Sequence, residues 1–363
     1  MTETALEAVA TAVYRFPAEQ PEADGTLTWD ATTAVVVTLH ADGQTGVGWT
    51  YGAQAAAAVV SGHLAPVLAG RRAWDVAAGW SAMHRACRNV GTRGVTMMAI
   101  SAVDIAWWDL KARLLGVGLT SLLGRCREAV PVYGSGGFTT FDDTRLASEV
   151  AGWRDAGCAA MKIKIAESGG TRIRRDLERV RRLRELAGDD AELMVDANGG
   201  YTVGQARRVG AQLDDLGVTW FEEPVSSDDP AGLATVRASV RCDVAAGEYA
   251  ADLYDVARLL PVVDCVQLDA TRCGGYTGWL RGAALAAAHN LEVSAHCAPA
   301  LHAPVAAAVP NARHVEWFAD HARLEPLLAD GVPPVVGGAL RLDPTARGHG
   351  LAVAPGADRW RVG

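Results

Sequence analysis

Four short apolar runs between Met161 and Glu248 each end in charge: MKIKI, MVDANGGY, WFEEP and AAGEY. Lys162 and Lys164 sit in the first, Asp196 ends the core of the second, Glu222 the third and Glu248 the fourth. A step of 26 positions leads from Asp196 to Glu222, and again from Glu222 to Glu248. That period accommodates one strand, one helix and two loops. Carboxylates at three successive strand ends of a βα repeat can converge on one hard cation. For one such acid the ordinary explanation is a helix N-cap or first-turn acid; three at matching strand ends favour a metal site. An oxygen-only donor set, without Cys or His, favours Mg2+ over zinc or copper. Glu223 stays open, either as an acid pairing with a lysine or as a ligand in place of Glu222. Asn198, two positions past Asp196, either hydrogen-bonds a ligand or substrate oxygen or caps its loop.

Lys162 and Lys164 share one face of a strand, with Met161, Ile163 and Ile165 on the other. A lysine inside a barrel is costly unless it has work or a partner. Desolvation and nearby cations would lower its pKa and make it a usable base near neutral pH. Two solvated lysines on an edge strand are the competing reading. Farther on, VQLD ends in Asp269 and VSAH in His296. On neighbouring strands, Asp269 would accept from one imidazole nitrogen, orient the ring and raise its basicity. His296 is then a second base, opposite Lys164. The other histidines (His40, His63, His84, His289, His302, His314, His321 and His349) lack such a context. Glu316 closes the ring on the eighth strand. Protonated among apolar neighbours such as Trp317, it would donate a hydrogen bond to a developing oxyanion. Ser135, Gly136 and Gly137 read as a tight turn rather than a phosphate nest, since GxGxxG and P-loop spacings are absent.

The elements that must hold these groups follow from periodicity. Strands are expected at 130–133, 160–165, 192–196, 219–222, 243–246, 264–268, 292–295 and 313–316. Helices are expected between them, near 143–156, 171–187, 203–216, 228–239, 251–260, 276–289 and 299–308. The strands are short, apolar and not strictly alternating, as parallel strands covered on both faces are. Eight of them argue for a (β/α)8-type barrel, with chemistry at the C-terminal strand ends. Ahead of it lie β-prone stretches at 8–14, 31–40 and 46–51, with an Asp-Gly hairpin turn at 41–44. Helices follow at 53–68, 73–87 and 95–115. The tail from about 325 is rich in Pro and Gly and is expected to pack back on the N-terminal block.

Composition narrows the rest. Half of the 363 residues are hydrophobic, enough for a sizeable core. A net charge of −8 argues against nucleic-acid binding. The seven cysteines are odd in number, scattered, and form no CxxC pair; they read as reduced thiols of a cytoplasmic protein. No basic leader with an apolar core opens the chain, and no apolar stretch is long enough to span a membrane.

Together these residues resemble the mandelate racemase subgroup of the enolase superfamily. The resemblance covers nearly the whole chain through AISAVDIAWWDLKARLLG, KIK, VDANGGY, FEEP, GE, LDATRCGGYTGW, SAH and VEW. It implies a modified TIM barrel, (β/α)7β, under an N-terminal α+β capping domain that the C-terminal segment completes. The corresponding bounds are 1–125 for the cap, 126–325 for the barrel and 326–363 for the tail. It implies one Mg2+ on Asp196, Glu222 and Glu248. It also implies Lys164 as general base with Lys162 lowering its pKa, a His296–Asp269 dyad, and Glu316 hydrogen-bonding the enediolate. Asp269 in place of a lysine on the sixth strand fits this subgroup and disfavours the muconate-cycloisomerase-like relatives. The implied activity is removal of the proton α to a carboxylate. Dehydration of an aldonate or aldarate is the favoured outcome, with racemisation or epimerisation of a 2-hydroxy acid as alternative. A metal- and ligand-binding barrel without turnover is the reading from another class. The expected partner is a small-molecule carboxylate, in a homo-oligomer between dimer and octamer. Specificity is expected from capping loops near 15–28 and 48–54, with Arg15, Trp29, Trp49 and Tyr51 as contributors.

Overall fold

A computed structural model describes residues 4–363; residues 1–3, the start of the expected cap and of the stretch read for a leader, lie outside the described residues. The N-terminal part is an antiparallel sheet in the order β1 (Ala8–Ala23), β2 (Thr28–Ala41), β3 (Gln44–Tyr51). The β2–β3 connection is the expected Asp-Gly turn, with φ of +47° at Asp42 and +68° at Gly43. Positive φ at both central residues gives the turn the twist its flanking strands need. β1 runs well past Tyr14, through Pro17 and Pro21. It lies at the sheet's edge, where a missing N–H leaves no ladder bond unmade, and its register shifts between Pro17 and Glu22.

A helical stretch over 55–68 follows, with a wider π turn at 60–64, then α1 (Val76–Ala86) and α2 (Val95–Leu114). α2 is buried on nearly all sides between β3 and the barrel. It can approach β3 closely only because Gly48 has no side chain: a Cβ there would collide with the Ala102 carbonyl. The polar groups of α2 serve as anchors. Asp104 accepts from Thr277 N at 2.9 Å and Thr277 Oγ1 at 2.6 Å, while Asp109 accepts from Val47 N and His349 N, each at 2.9 Å.

Eight parallel strands then close a barrel: β4 (Ala129–Gly136), β5 (Ala160–Lys164), β6 (Glu192–Asp196), β7 (Val218–Glu222), β8 (Asp243–Ala246), β9 (Cys265–Leu268), β10 (Glu292–Ala295) and β11 (Ala312–Phe318). Pairing of β11 with β4, Glu316 opposite Tyr133, completes the ring. Seven principal helices separate them: α3 (Asp143–Asp155), α4 (Ile173–Ala187), α5 (Val203–Asp215), α6 (Pro230–Arg237), α7 (Leu253–Leu259), α8 (Gly275–Ala288) and α9 (Pro299–Ala306). This is the modified TIM barrel with a capping domain that the sequence implied. α4 shows the logic of the outer ring: Leu177, Val180 and Leu183 face the sheet while most of its arginines face solvent. Tyr133, Ala160, Met194, Trp220, Ala245 and Cys265 fill the barrel's interior.

The C-terminal segment differs in detail from expectation. α10 (Ala319–Leu328) continues to Leu328, past the expected start of the tail. β12 (Ala329–Asp330) pairs with β14 (Ala352–Val353), and β13 (Ala339–Arg341) adds to the barrel, antiparallel to β4. The segment packs back on the N-terminal block at two places: His349 Nε2 lies 2.7 Å from Val47 O of β3, and at the end of the chain Val362 N donates to Val13 O at 2.8 Å while the Trp360 ring lies 5.8 Å from Phe16. No helix among the described residues is long and apolar enough to cross a membrane, and all seven cysteines are free.

Candidate active site

Alternation along the barrel strands delivers most of the charged groups to one place. On β5, Met161 and Ile163 join the outer core while Lys162 and Lys164 point inward. The same parity carries Met194 to Asp196, Trp220 to Glu222, Cys265 to Asp269, and Ser294 to His296. Glu248 is the exception. Ala245 faces inward, so strict alternation would turn Glu248 outward. The chain breaks parity at Gly247, where φ is +134° and a Cβ would collide with the Gln267 carbonyl oxygen. Glycine there re-aims the following glutamate into the barrel mouth. Asn198, Glu223, Cys297 and Ala298 also carry positive φ, at +44°, +36°, +51° and +40°. Such strain gathers where a site over-determines the backbone. Arg179 of α4 steadies these ends, donating to the carbonyls of Gly137, Phe138 and Lys164 at 2.5, 2.9 and 2.9 Å.

Asp196, Glu222 and Glu248 each offer an oxygen, and these atoms lie within 4.8 Å of one another. All three are buried. Lys162 Nζ lies 2.7 Å from Glu222 Oε2 and 2.8 Å from Glu316 Oε1, and Lys164 Nζ is bonded to Asp196 Oδ2. Asn198 N donates to Asp196 Oδ1 at 2.8 Å. On the other side His296 Nδ1 meets Asp269 Oδ2 at 2.9 Å, and its Nε2 lies 3.3 Å from Glu248 Oε2. Arg272 spans the two halves, 3.2 Å from Glu248 and 3.3 Å from Asp269.

The electrostatics correct two expectations. Burial alone would lower the lysine pKa values, but Glu222 and Glu316 around Lys162, and Asp196 beside Lys164, outweigh it, so both are raised. Lys162 does lower its neighbour Lys164, as expected, but by less than Asp196 raises it. Glu316 was expected to be a neutral acid beside Trp317. Burial favours that state, but Lys162 and then His296 hold its carboxyl well below the usual range. Trp317 alternates to the helix side and packs on the outer core. Glu316 accepts from Ser135 Oγ at 2.6 Å and Cys297 N at 2.9 Å. Ser135 and Gly136 thus belong to strand β4 rather than a turn, and only Gly137 turns, with φ of +55°. The surplus of acid shows at Glu222 and Glu223. Burial pushes both well above the carboxylate range, helped by Asp196 at Glu222 and by Glu248 at Glu223.

Above these groups a cleft of about 330 Å3 opens between barrel and cap. From the barrel Lys164, Asn198, Glu248, Arg272, His296, Asp320 and His321 line it; from the cap Trp29, Thr32, Thr33 and Tyr51 do. Trp29 and Tyr51 therefore sit where expected. Arg15 instead pairs with Asp30 on the surface at 3.1 Å, and Trp49 is wholly buried. Arg272, Asp320 and His321 were missed. Arg272 stood within LDATRCGGYTGW, where a cation one turn past Asp269 was the available signal; His321 has none, because its acid neighbour only becomes meaningful once the cleft exists.

Residues 8–124 match the family described as mandelate racemase / muconate lactonizing enzyme, N-terminal domain, and residues 145–357 the one described as enolase C-terminal domain-like. D-galactarolactone cycloisomerase of Agrobacterium fabrum is 34% identical over 300 residues, 80% of this chain and 78% of that protein. L-talarate/galactarate dehydratase of Salmonella typhimurium is 32% identical over 286 residues, 76% of this chain and 71% of that protein. Its crystal structure, liganded with Mg and L-lyxarohydroxamate, superposes with a TM-score of 0.91 at 28% identity, covering 99% of this chain and 94% of that one. A mandelate racemase/muconate lactonizing enzyme-like protein from Rubrobacter xylanophilus superposes with a TM-score of 0.95 at 44% identity, covering 99% of this chain and 100% of that one.

Proposed function

This chain belongs to the mandelate racemase/muconate lactonizing enzyme family of the enolase superfamily, and on that premise we propose that it removes the proton α to the carboxylate of a sugar acid. The outcome we favour is dehydration of an aldonate or aldarate to a 2-keto-3-deoxy acid. The observation that carries the reading is the pair of potential bases, Lys164 and His296, lining one cleft beside three converging carboxylates. A barrel that only bound metal and ligand would need no second base.

The residues fit a divalent cation. Asp196, Glu222 and Glu248 form an all-oxygen donor set, and buried Glu248 Oε2 makes no hydrogen bond. Mg2+ held there would supply positive charge to a substrate carboxylate as it becomes an enediolate. Lys164 serves as a base only when Asp196 no longer fixes its proton, and Asp196 is one of the proposed ligands. Asp269 orients the other base: with Nδ1 bonded to it, His296 presents Nε2 towards the cleft. One of the two takes the α-proton. His296 then delivers a proton to the departing β-hydroxyl, so the acid loses one water and the resulting enol ketonises. Paired with Lys162 at 2.8 Å, Glu316 is a carboxylate that accepts, so it donates to the developing oxyanion only by first taking up a proton. Asn198, whose buried Oδ1 is unpartnered, would accept from a substrate hydroxyl.

The same two bases suit racemisation or epimerisation, one removing the proton and the other returning it to the opposite face. Incubation with Mg2+ and a panel of sugar and 2-hydroxy acids in D2O separates these outcomes. A 2-keto product marks dehydration, and exchange with inversion marks isomerisation. Absence of both with every acid would overturn the proposal.

A further inference from the structure

Beside the three converging acids, the barrel mouth carries a thiol that the α-proton reading does not use. Consecutive residues on a strand point to opposite faces, yet His296 and Cys297 both line the cleft. β10 ends at Ala295, and Cys297 takes a left-handed conformation, with φ of +51°, which returns its side chain to the mouth. There Cys297 Sγ lies 3.2 Å from His296 Nε2 and 3.4 Å from Glu316 Oε2, and those two atoms are 3.9 Å apart.

These spacings suit a shared ion. Tetrahedral Zn2+, with bonds of about 2.0–2.3 Å to nitrogen, oxygen and sulfur, sets neighbouring ligand atoms about 3.3–3.6 Å apart. The three donors reach that arrangement with shifts of a few tenths of an ångström. Their supports are in place as well. His296 Nδ1 meets Asp269 Oδ2 at 2.9 Å, the imidazole–carboxylate contact that leaves the Nε2 lone pair for a metal. Lys162 holds Glu316 by Oε1 at 2.8 Å, which leaves Oε2 to face the thiol. A fourth oxygen, Glu248 Oε2, stands 3.3 Å from His296 Nε2 and makes no hydrogen bond, although its residue is only 3% exposed. Thiolate and imidazole select a soft ion such as Zn2+, whereas the oxygen donors of Asp196 and Glu222 select a hard one.

We propose that His296, Cys297 and Glu316 form a second, soft-metal site, at which Zn2+ binds and inhibits the enzyme. Binding releases the thiol proton, which burial holds firmly on Cys297, forms a Zn–S bond, and occupies the His296 lone pair. The inhibition rests on the reading of His296 as a base; the site itself rests on the donor geometry.

Co2+ is the probe, because a thiolate bound to it absorbs in the near ultraviolet and carboxylate ligands do not. Protein saturated with Mg2+ and carrying Cys126→Ser, which removes the exposed thiol, is titrated with Co2+ and then with Zn2+. A thiolate band that saturates at one Co2+ per chain and that Zn2+ abolishes is expected. Absence of the band would overturn the site whatever any further variant does. Adding Cys297→Ser should remove the band and raise the Zn2+ concentration for half-inhibition at least about tenfold. A band that survives this change would place the ion on another cysteine and overturn the assignment. Inhibition that it leaves unchanged would place Zn2+ on Asp196, Glu222 and Glu248, with the same consequence. Turnover that persists with the band saturated would overturn the inhibitory role. The spectral titration needs no substrate, so it stands or falls separately from the α-proton reading, which fails if no acid reacts before Zn2+ is added.

Discussion

Lys162 is the charge on which the inner barrel balances, and replacement by methionine isolates that role, since methionine keeps the length of the side chain and removes its ammonium. The native Nζ lies 2.7 Å from Glu222 Oε2, 2.8 Å from Glu316 Oε1 and 3.9 Å from Asp196 Oδ2, with the side chain wholly buried. Removing one partner of a buried ion pair costs about 3–5 kcal/mol, because the other charge stays behind unpaired. Two carboxylates are stranded here, but both can take up a proton, which caps the loss near that range. With an unfolding entropy of roughly 2.1 cal/mol/K per residue, a chain of 363 residues has about 0.76 kcal/mol/K in all. Lys162→Met should therefore lower Tm by about 4–7 °C in scanning calorimetry at pH 7 with a chelator present. Adding Mg2+ should stabilise the variant more than the native protein, because the stranded carboxylates then have a cation to neutralise them. A Tm within about 1 °C of native in chelator, with the same response to Mg2+, would refute the reasoning.

Lys164→Ala and His296→Asn should each lower turnover by roughly 10²–10⁴, the usual contribution of a positioned base, while circular dichroism stays native; near-native turnover in either variant removes that residue from the mechanism. Glu248→Gln and Glu222→Gln should weaken Mg2+ binding in calorimetric titration by at least about tenfold, whereas Glu223→Gln should not, and the opposite ranking would move the ligand role to Glu223. Glu325 is pushed up to about 8 by burial, from an ordinary 4.5, while accepting from Ala300 N at 3.0 Å. The folded state therefore holds a proton that the unfolded chain has released. Its contribution to stability is full below about pH 4.5 and is lost as pH rises towards 8, at no more than about 1.4 kcal/mol per pH unit. Glu325→Gln should flatten the Tm profile between those pH values, and an unchanged slope would count against this account.

Much of the site was legible because barrel strands impose simple rules. Short apolar runs ending in charge mark parallel strands, and side-chain parity places Lys162 and Lys164 on one face. The spacing of Asp196, Glu222 and Glu248 survived into space even though Glu248 reaches the site by a break in parity. AAGEY contains the glycine responsible, but nothing in one sequence says that its φ is positive. The protonation states were not legible. Expecting Lys164 to be depressed weighed burial and the Lys162 charge, and expecting Glu316 neutral weighed burial; the outcome depends on which opposite charges lie within about 3 Å, Asp196 on the neighbouring β6 for Lys164 and Lys162 across the closed ring for Glu316. The cleft between cap and barrel was the least visible part. Thr32 and Thr33 read as ordinary residues of an alternating strand, and His321 as an isolated histidine on a helix. They acquire meaning only when the cap lies over the barrel.

The charge inventory at the barrel mouth links the proposed metal to the proposed substrate. Asp196, Glu222, Glu223, Glu248, Asp269 and Glu316 stand against Lys162, Lys164 and Arg272, an excess of three acids within one buried region. Burial makes that excess expensive, and the high proton affinities of Glu222 and Glu223 are its local expression. A carboxylate substrate would add another negative charge to the same region. A divalent cation on the three converging acids offsets two of the excess charges, and a proton retained by one glutamate offsets the third. Only then does the mouth offer an anion a neutral surrounding. It also follows that Lys164 is freed from Asp196 by the same event that makes room for the substrate, so binding and activation of the base are one electrostatic step.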